Sequence, residues 1–379
     1  MKIMHLSDLH LGKRVNEFSM TEDQEYILTK IINIVDEQKP QVVVIAGDVY
    51  DKSVPSAEAV ELFDDFLVRL SERNLKVFVI SGNHDSAERI AFGGRLMEKS
   101  GIYMSPVFGG KVEPVTLEDE FGEVNFYMLP FVKPSNVRRF YPEDEISSYT
   151  DALRTVIDNM NIDTGKRNLL ITHQFVTGAM RSESEEISVG GTDNVDAGVF
   201  EKFDYVALGH IHRAQKCGSE YIRYSGTPLK YSFSEARDNK TVTLAELKGK
   251  GEIALSFYPL IPKRDLVEIK GTYDELVRKS FYEGTSYRED YMHITLTDEE
   301  DIPDVLTKLR VIYKNIMKLD YDNLRTRHLA EISGAYDVRN KTALEHFGEF
   351  YEMQNGQCMN EEQISFMTKV IQEIWEGDK

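Results

Sequence analysis

The chain has 379 residues, a formal net charge of −19 at pH 7 and 41% hydrophobic residues. That length suffices for two or three domains with a sizeable core, and no run of about 20 apolar residues offers a membrane span. The acidic balance weighs against a broadly basic nucleic-acid surface, although a metal site can supply the positive field that a phosphate needs. Two cysteines, Cys217 and Cys358, lie far apart without CxxC spacing. They give no disulfide framework and fit a reducing cytoplasm. The opening Met1-Lys2-Ile3-Met4 reads as a strand and lacks the layout of a secretory signal. The expectation is a soluble cytoplasmic protein with no membrane association.

In chain order, a strand at 1–6 precedes a helix near 21–37, for which Thr21-Glu22-Asp23-Gln24 is a start of the capping-box kind. A strand at 41–46 leads to a helix near 56–72, entered at Pro55 and Ser56, and a strand at 76–81 leads to a helix near 86–99, closed by Gly101. Short strands then dominate, at 102–104, 111–117, 124–129, 168–172, 203–208, 221–224, 241–247 and 253–259, with one helix near 146–160. This mix predicts two β-sheets packed face to face with helices outside, an α/β (α+β) class. A boundary falls near Pro259-Leu260-Ile261-Pro262. Beyond it, strands at 266–269, 291–296 and 315–320 alternate with helices at 273–281 and 302–310, as a small α+β module. The last segment carries apolar residues at helical spacing over 342–354 and 360–375, separated by Asn355-Gly356. Residues 342–379 hold eight acids against two lysines. Acidic runs at Glu118 to Glu120, Glu143 to Glu145, Glu183 to Glu186 and Asp298 to Asp301 read as solvated faces, while basic residues group at Lys133, Arg138, Arg139 and at Arg325, Arg327.

Six of the nine histidines lie within the first 212 residues, and five of those stand in short motifs placed just after apolar runs. The motifs are Ser7-Asp8-Leu9-His10, Gly47-Asp48, Gly82-Asn83-His84-Asp85, Thr172-His173 and Gly209-His210-Ile211-His212. Ligands of α/β sheets bind beyond the carboxyl ends of the strands, so five strand ends would deliver Asp8, Asp48, Asn83 and five histidines to one edge. Imidazole, carboxylate and carboxamide without thiolate suit Mn, Fe or Zn rather than Ca or a structural zinc. Two such cations about 3.5–4 Å apart clamp an in-line displacement at phosphorus and activate water without a protein base. Asp48, standing alone between flanking motifs, is the candidate bridge. His84 fits the group that protonates the leaving oxygen, with Asp85 or a backbone carbonyl fixing its tautomer. Singly, each residue has a plainer reading: Asp8 and His10 as a turn, Asp48 as an Asx turn, His210 and His212 as neighbours on a strand. The order of all five motifs is what points to metal chemistry. His5 reads as core or as support behind the ligands, and His293, His328 and His346 as structural or exposed.

Asp-x-His, Gly-Asp-x-x-Asp, Gly-Asn-His-Asp, a lone His after a strand and Gly-His-x-His together resemble the calcineurin-like metallophosphoesterase superfamily. Ser7-Asp8-Leu9-His10-Leu11-Gly12, Gly47-Asp48-Val49-Tyr50-Asp51 with Pro55, and Gly82-Asn83-His84-Asp85-Ser86 with Arg89 are similar to its DNA-repair nuclease branch, the SbcD type. The resemblance covers nearly the whole chain. It implies a β-sandwich flanked by helices over 1–262, an α+β DNA-capping domain over 263–335 and a helical partner-binding tail over 336–379. It implies one metal on Asp8, His10, Asp48 and His212, a second on Asp48, Asn83, His173 and His210, both most simply Mn, and His84 at the leaving group. It also implies a homodimer, through helices near 56–72 and 86–99, bound by its C-terminal helices to an SMC-like ATPase and acting on DNA as exonuclease and endonuclease. Phosphate contacts are expected of Lys13, Arg14 and Arg89, and from the basic groups at Lys133, Arg138 and Arg139. An alternative within the superfamily is a phosphatase or cyclic-nucleotide phosphodiesterase. A protein phosphatase would be expected to carry Asn-His-Glu and Asp-Arg-Gly where this chain has Asn83-His84-Asp85 and Asp51-Lys52-Ser53. A third reading, a scaffold with a vestigial site, is opposed by the presence of all seven expected ligands.

Overall fold

The computed structural model describes residues 1–185, 193–324, 326, 342–355 and 357–377, with backbone alone at 353 and 372–377. Glu186, Arg325, Arg327, His328, the side chain of Ile374 and the expected boundary at 335 lie outside the described residues. The chain divides into a larger unit, 1–185 with 194–265, and a second unit that takes up the chain again at Leu266.

In the larger unit the strands run β1 (Lys2–Leu6), β2 (Arg14–Val15), β3 (Phe18–Ser19), β4 (Val42–Ala46), β5 (Lys76–Ile80), β6 (Ile102–Met104) and β7 (Val115–Asp119). They continue with β8 (Gly122–Leu129), β9 (Arg167–His173), β10 (Tyr205–Gly209), β11 (Gln215–Cys217), β12 (Ser219–Tyr224), β13 (Thr241–Leu247) and β14 (Ile253–Pro259). Apart from the β2–β3 ribbon they form two six-stranded sheets, β14-β13-β1-β4-β5-β6 and β11-β12-β10-β9-β8-β7. The central strands β1, β4, β5 and, in the other sheet, β8, β9, β10 pair in parallel. Runs such as Val42-Val43-Val44-Ile45-Ala46 suit this role because both faces of each strand are covered. Alternation then sends Val42, Val44 and Ala46 toward Phe126, Leu169 and Ile171 of the opposite sheet. Phe78 and Phe126 stack across that interface, with centroids 4.5 Å apart and planes at 11°. Helix Tyr149–Asp158 covers the outer face of the second sheet through Leu153, Val156 and Ile157.

Two helices of the larger unit depart from the expected pattern. Helix Thr21–Gln38 begins after Met20 with no side-chain cap, so the Thr21 capping box does not form. Its Gln24 is instead buried and bonded elsewhere. The expected helix over 86–99 breaks into Ala87–Ala91, Gly94–Met97 and a 3-10 turn at Glu98–Ser100. Phe92 is extended and Gly93 adopts φ +73, a left-handed turn that interrupts the ladder. Phe92 and Leu96 on these pieces are 83% and 77% exposed.

The second unit has a three-stranded parallel sheet, β15 (Leu266–Gly271), β16 (Tyr291–Leu296) and β17 (Asn315–Tyr321), in that order. Leu276, Met292, Ile294, Leu309 and Tyr313 form its core. The helix expected over 273–281 is two short pieces, Tyr273–Leu276 and Lys279–Tyr282. His293 of β16 sits between Glu268 of β15 and Asp320 of β17, at 3.1 and 2.8 Å, a cross-strand structural contact. Helices Ala343–Asn355 and Glu361–Gly377 follow. Phe347, Tyr351, Met359, Phe366 and Met367 line an apolar groove along the pair. Among the described residues no helix is long and apolar enough to cross a membrane.

Candidate metal centre

The site stands where β1, β4, β5, β9 and β10 end. The loop leaving β1 runs beside the loop leaving β4: Asp8 N donates to Gly47 O at 3.0 Å, and His10 N to Asp48 O at 2.9 Å. Asp8, His10 and Asp48 all take positive φ, at 53°, 45° and 48°, as does His210 at 103°. Left-handed backbone is uncommon outside glycine and clusters where function requires it. Here it folds the loops back over the strand ends. The glycines preceding the ligands permit close approach: a Cβ on Gly209 would fall 1.8 Å from Ala46 O and 2.6 Å from His173 Nδ1.

The structure brings all seven expected ligands together. Asp8, His10 and His212 offer donor atoms within 4.8 Å of one another, as do Asp8, Asp48 and His173. His10 Nε2 and His212 Nε2 lie 3.1 Å apart, and His10 Nε2 is 3.7 Å from Asp48 Oδ2. On the other side, His173 Nε2 lies 3.3 Å from Asp48 Oδ2 and 3.0 Å from Asn83 Oδ1, which is itself 2.9 Å from His210 Nδ1. His173 presents Nε2 because its Nδ1–H donates to Ala46 O at 2.8 Å. Asp48 thus stands between both groups, as a bridging carboxylate must.

Burial dominates the electrostatics of the pocket and disfavours charge on every titratable ligand. Burial pushes the Asp8 carboxyl up to about 7, with the charge of Asp48 adding and His173 opposing. Burial also works against charge on Asp48, but the facing imidazoles, His173 foremost, hold it well below the usual carboxylate range. Burial disfavours protonated His173 too, yet Asp48 and Asp8 outweigh it and raise the imidazole to about 9. Burial holds His10 and His212 well below the ordinary value and takes His210 down to about 3. His10, His210 and His212, held uncharged by burial, converge with His173 on the carboxylates of Asp8 and Asp48 and the carboxamide of Asn83, a thiolate-free donor set that fits divalent cations of the borderline class.

His84 joins the rim. Its Nε2 is 4.0 Å from Asp48 Oδ2, its ring centroid is 5.0 Å from that of His10, and its side chain is 18% exposed. Its backbone N–H donates to Asp48 Oδ1 at 2.9 Å, which ties the two residues together. Of the two partners expected for the His84 ring, Asp85 or a backbone carbonyl, the Asp85 carboxylate is engaged elsewhere. It accepts from the backbone N–H groups of Val49, Tyr50 and Gly82 at 3.1, 2.9 and 2.9 Å, clasping the β4 and β5 loops together. Burial and the nearby charge of Asp48 nevertheless raise the Asp85 carboxyl to about 6. Of the expected phosphate contacts, Lys13 is paired with Asp51 at 2.6 Å, while the exposed Arg14 and Arg89 donate to Glu17 O and Ser53 O. Arg138 and Arg139 are exposed and Lys133 half-buried.

Several supporting residues carry no motif signal. Gln24 Nε2 donates to His10 O at 2.7 Å and to Tyr231 OH at 3.0 Å, while Tyr231 OH donates to Leu9 O at 2.7 Å. Together they hold the left-handed Asp8–His10 turn. His5 lies behind the site, accepting from Tyr205 OH at 3.0 Å and donating to Leu208 O at 3.1 Å. Behind His212 stand Ser184, Glu185, Glu235 and Lys240.

Comparison with known proteins agrees with this geometry. Residues 1–214 match the calcineurin-like phosphoesterase family, and residues 262–355 match the SbcD_C family, described as the Type 5 capsule protein repressor C-terminal domain. Two curated relatives, both carrying the name of the SbcD subunit of the nuclease SbcCD, come from Staphylococcus saprophyticus and Staphylococcus epidermidis. The first is 36% identical over 323 residues, 84% of this chain and 84% of the relative. The second is 35% identical over 323 residues, 84% and 85% of the two chains. A solved dimetal phosphatase from Danio rerio is 12% identical over 69% of this chain and 96% of that one, with a TM-score of 0.42, a likeness too slight to carry an argument. The chain belongs to the calcineurin-like phosphoesterase family and, within it, to the SbcD-type nuclease subunits. It is a metal-dependent phosphoesterase whose donor set fits a dinuclear divalent site.

Proposed function

We propose that this protein is a Mn-dependent DNA exonuclease and endonuclease subunit that works in the cytoplasm as a homodimer bound to an SMC-like ATPase of SbcC type, in DNA end processing, repair and recombination. The observation that carries the reading is the convergence of two donor groups on a shared Asp48, in a chain whose relatives are named nuclease subunits. Asp8, His10, Asp48 and His212 would hold one cation, and Asp48, Asn83, His173 and His210 the other. Two bound cations neutralise phosphate charge and activate water for attack at phosphorus. The chain's own residues supply the rest. Ala46 O fixes the His173 ring, Gln24 and Tyr231 fix the His10 turn, and His84, held to Asp48 through its backbone, gives a proton to the leaving oxygen.

Residues 1–262 would form the nuclease domain, 263–335 a DNA-capping domain and 336–379 the ATPase-binding tail, whose apolar groove supports that role. The exposed Phe92 and Leu96, with Val60 and Val68 at 44% and 48% exposure on helix Ala57–Ser71, support the homodimer face. Lys13, Arg14 and Arg89 would meet backbone phosphates. Incubating the purified chain and Mn with end-labelled linear duplex DNA, and separately with a generic aryl phosphodiester, tests the substrate. Shortened DNA supports the nuclease. Ester turnover with DNA untouched would reassign the chain to small phosphoesters.

A further inference from the structure

The two halves of the centre are supported by different means. His173 is oriented by a main-chain carbonyl, Ala46 O, inside the sandwich. His212 is oriented by side chains. Its Nδ1 lies 2.6 Å from Ser184 Oγ, and the Ser184 hydroxyl reaches Glu235 Oε1. Read as a directed chain, His212 Nδ1–H donates to Ser184 Oγ and Ser184 Oγ–H donates to the Glu235 carboxylate. That direction leaves Nε2 as the bare nitrogen, and Nε2 is the atom facing His10. Glu235 is fully buried, and its other oxygen is paired with Lys240 Nζ at 2.5 Å. Lys240 also donates to His212 O at 2.8 Å, and the His212 N–H donates to Glu185 Oε1 at 2.7 Å. His212 is therefore gripped at ring, amide and carbonyl.

We infer that Glu235, acting through Ser184, is a positioning residue for His212, and that the 182–185 segment sets the affinity of one metal position independently of the other. This rests on the dinuclear reading given above. Partners behind a metal-bound histidine fix its tautomer and basicity, and their loss costs about 10- to 100-fold in metal affinity. Ser184 is the informative position because replacing it leaves the Glu235–Lys240 pair intact.

The test is titration of the full-length apo protein with Mn, reading free Mn by electron paramagnetic resonance, with melting of the metal-free form measured alongside. The wild type should bind two ions. Ser184→Ala should weaken one of them about 10- to 100-fold and leave the other unchanged, Ser184→Thr should restore it, and Glu235→Gln should weaken the same ion. Adding Ser184→Ala to His212→Ala should change nothing further. If the wild type binds two ions and Ser184→Ala keeps both at wild-type affinity, or weakens both alike, the inference is wrong. If the wild type binds fewer than two, the dinuclear reading itself fails.

Discussion

His10 and His212, 202 residues apart in sequence, face each other through their Nε2 atoms at 3.1 Å. Both imidazoles are held well below the ordinary value by burial, so neither gains from a proton of its own. Two uncharged nitrogens beside Asp8 and Asp48 leave a carboxylate-rich pocket that a divalent cation completes.

His84 is near this pocket but more exposed than His10, Asp48 and His173. Replacing it with alanine is expected to lower DNA turnover by about 10²- to 10⁴-fold, the usual contribution of a general acid. Both metals should remain bound. Loss of a metal in elemental analysis of His84→Ala would make the residue a ligand instead.

The close packing at Gly209 gives a stability prediction. A methyl group there meets the very carbonyl that fixes His173. Gly209→Ala should destabilise the metal-free protein by about 1–3 kcal/mol or more, as overpacking does, and weaken metal binding at His173. Chemical denaturation and metal titration of the same sample check both.

Legibility followed locality. The strand-end motifs were readable because each places its donors within a few residues of an apolar run, and Val42 to Ala46 or Tyr205 to Gly209 admits little but a buried strand. The broken helix at Phe92 and Gly93 was not, since the apolar spacing continues across a residue that turns left-handed. Asp85 follows His84 directly in sequence, yet its carboxylate is drawn to the amides of Val49 and Tyr50, a contact set by the β4–β5 pairing. Ser184, Glu235, Gln24 and Tyr231 are polar residues in ordinary surroundings until the fold brings them behind His212 and His10.

Asp119 should make the fold acid-sensitive. Burial disfavours its charge, but bonds from Arg167 and from the Met1 ammonium hold its carboxyl well below the usual range. A carboxyl with a depressed folded-state pKa contributes stability above its unfolded pKa of about 4, and that contribution is lost as pH falls below it. Asp119→Asn should therefore be less stable than the wild type at pH 7, by about 1–3 kcal/mol, and the gap should begin to narrow as pH drops below about 4 and keep narrowing toward about pH 2. Urea denaturation across about pH 2–7 measures it.

The apolar groove between the last two helices predicts separable binding and chemistry. Phe366 lines it and is 65% exposed. Phe366→Asp, or removal of 342–379, should release the SMC-like ATPase while sparing Mn-dependent cleavage of short DNA. Stoichiometric co-purification of the truncated chain with that ATPase would refute the assignment of the tail.

The most direct test of the two-metal account compares wild type with Asp48→Ala, the carboxylate between both donor groups. End-labelled linear duplex DNA, incubated with each protein in Mn and in EDTA, is followed together with bound metal. The account predicts Mn-dependent shortening and two bound ions for the wild type, with both lost in Asp48→Ala. Undiminished cleavage by Asp48→Ala, or cleavage that persists in EDTA, would contradict it.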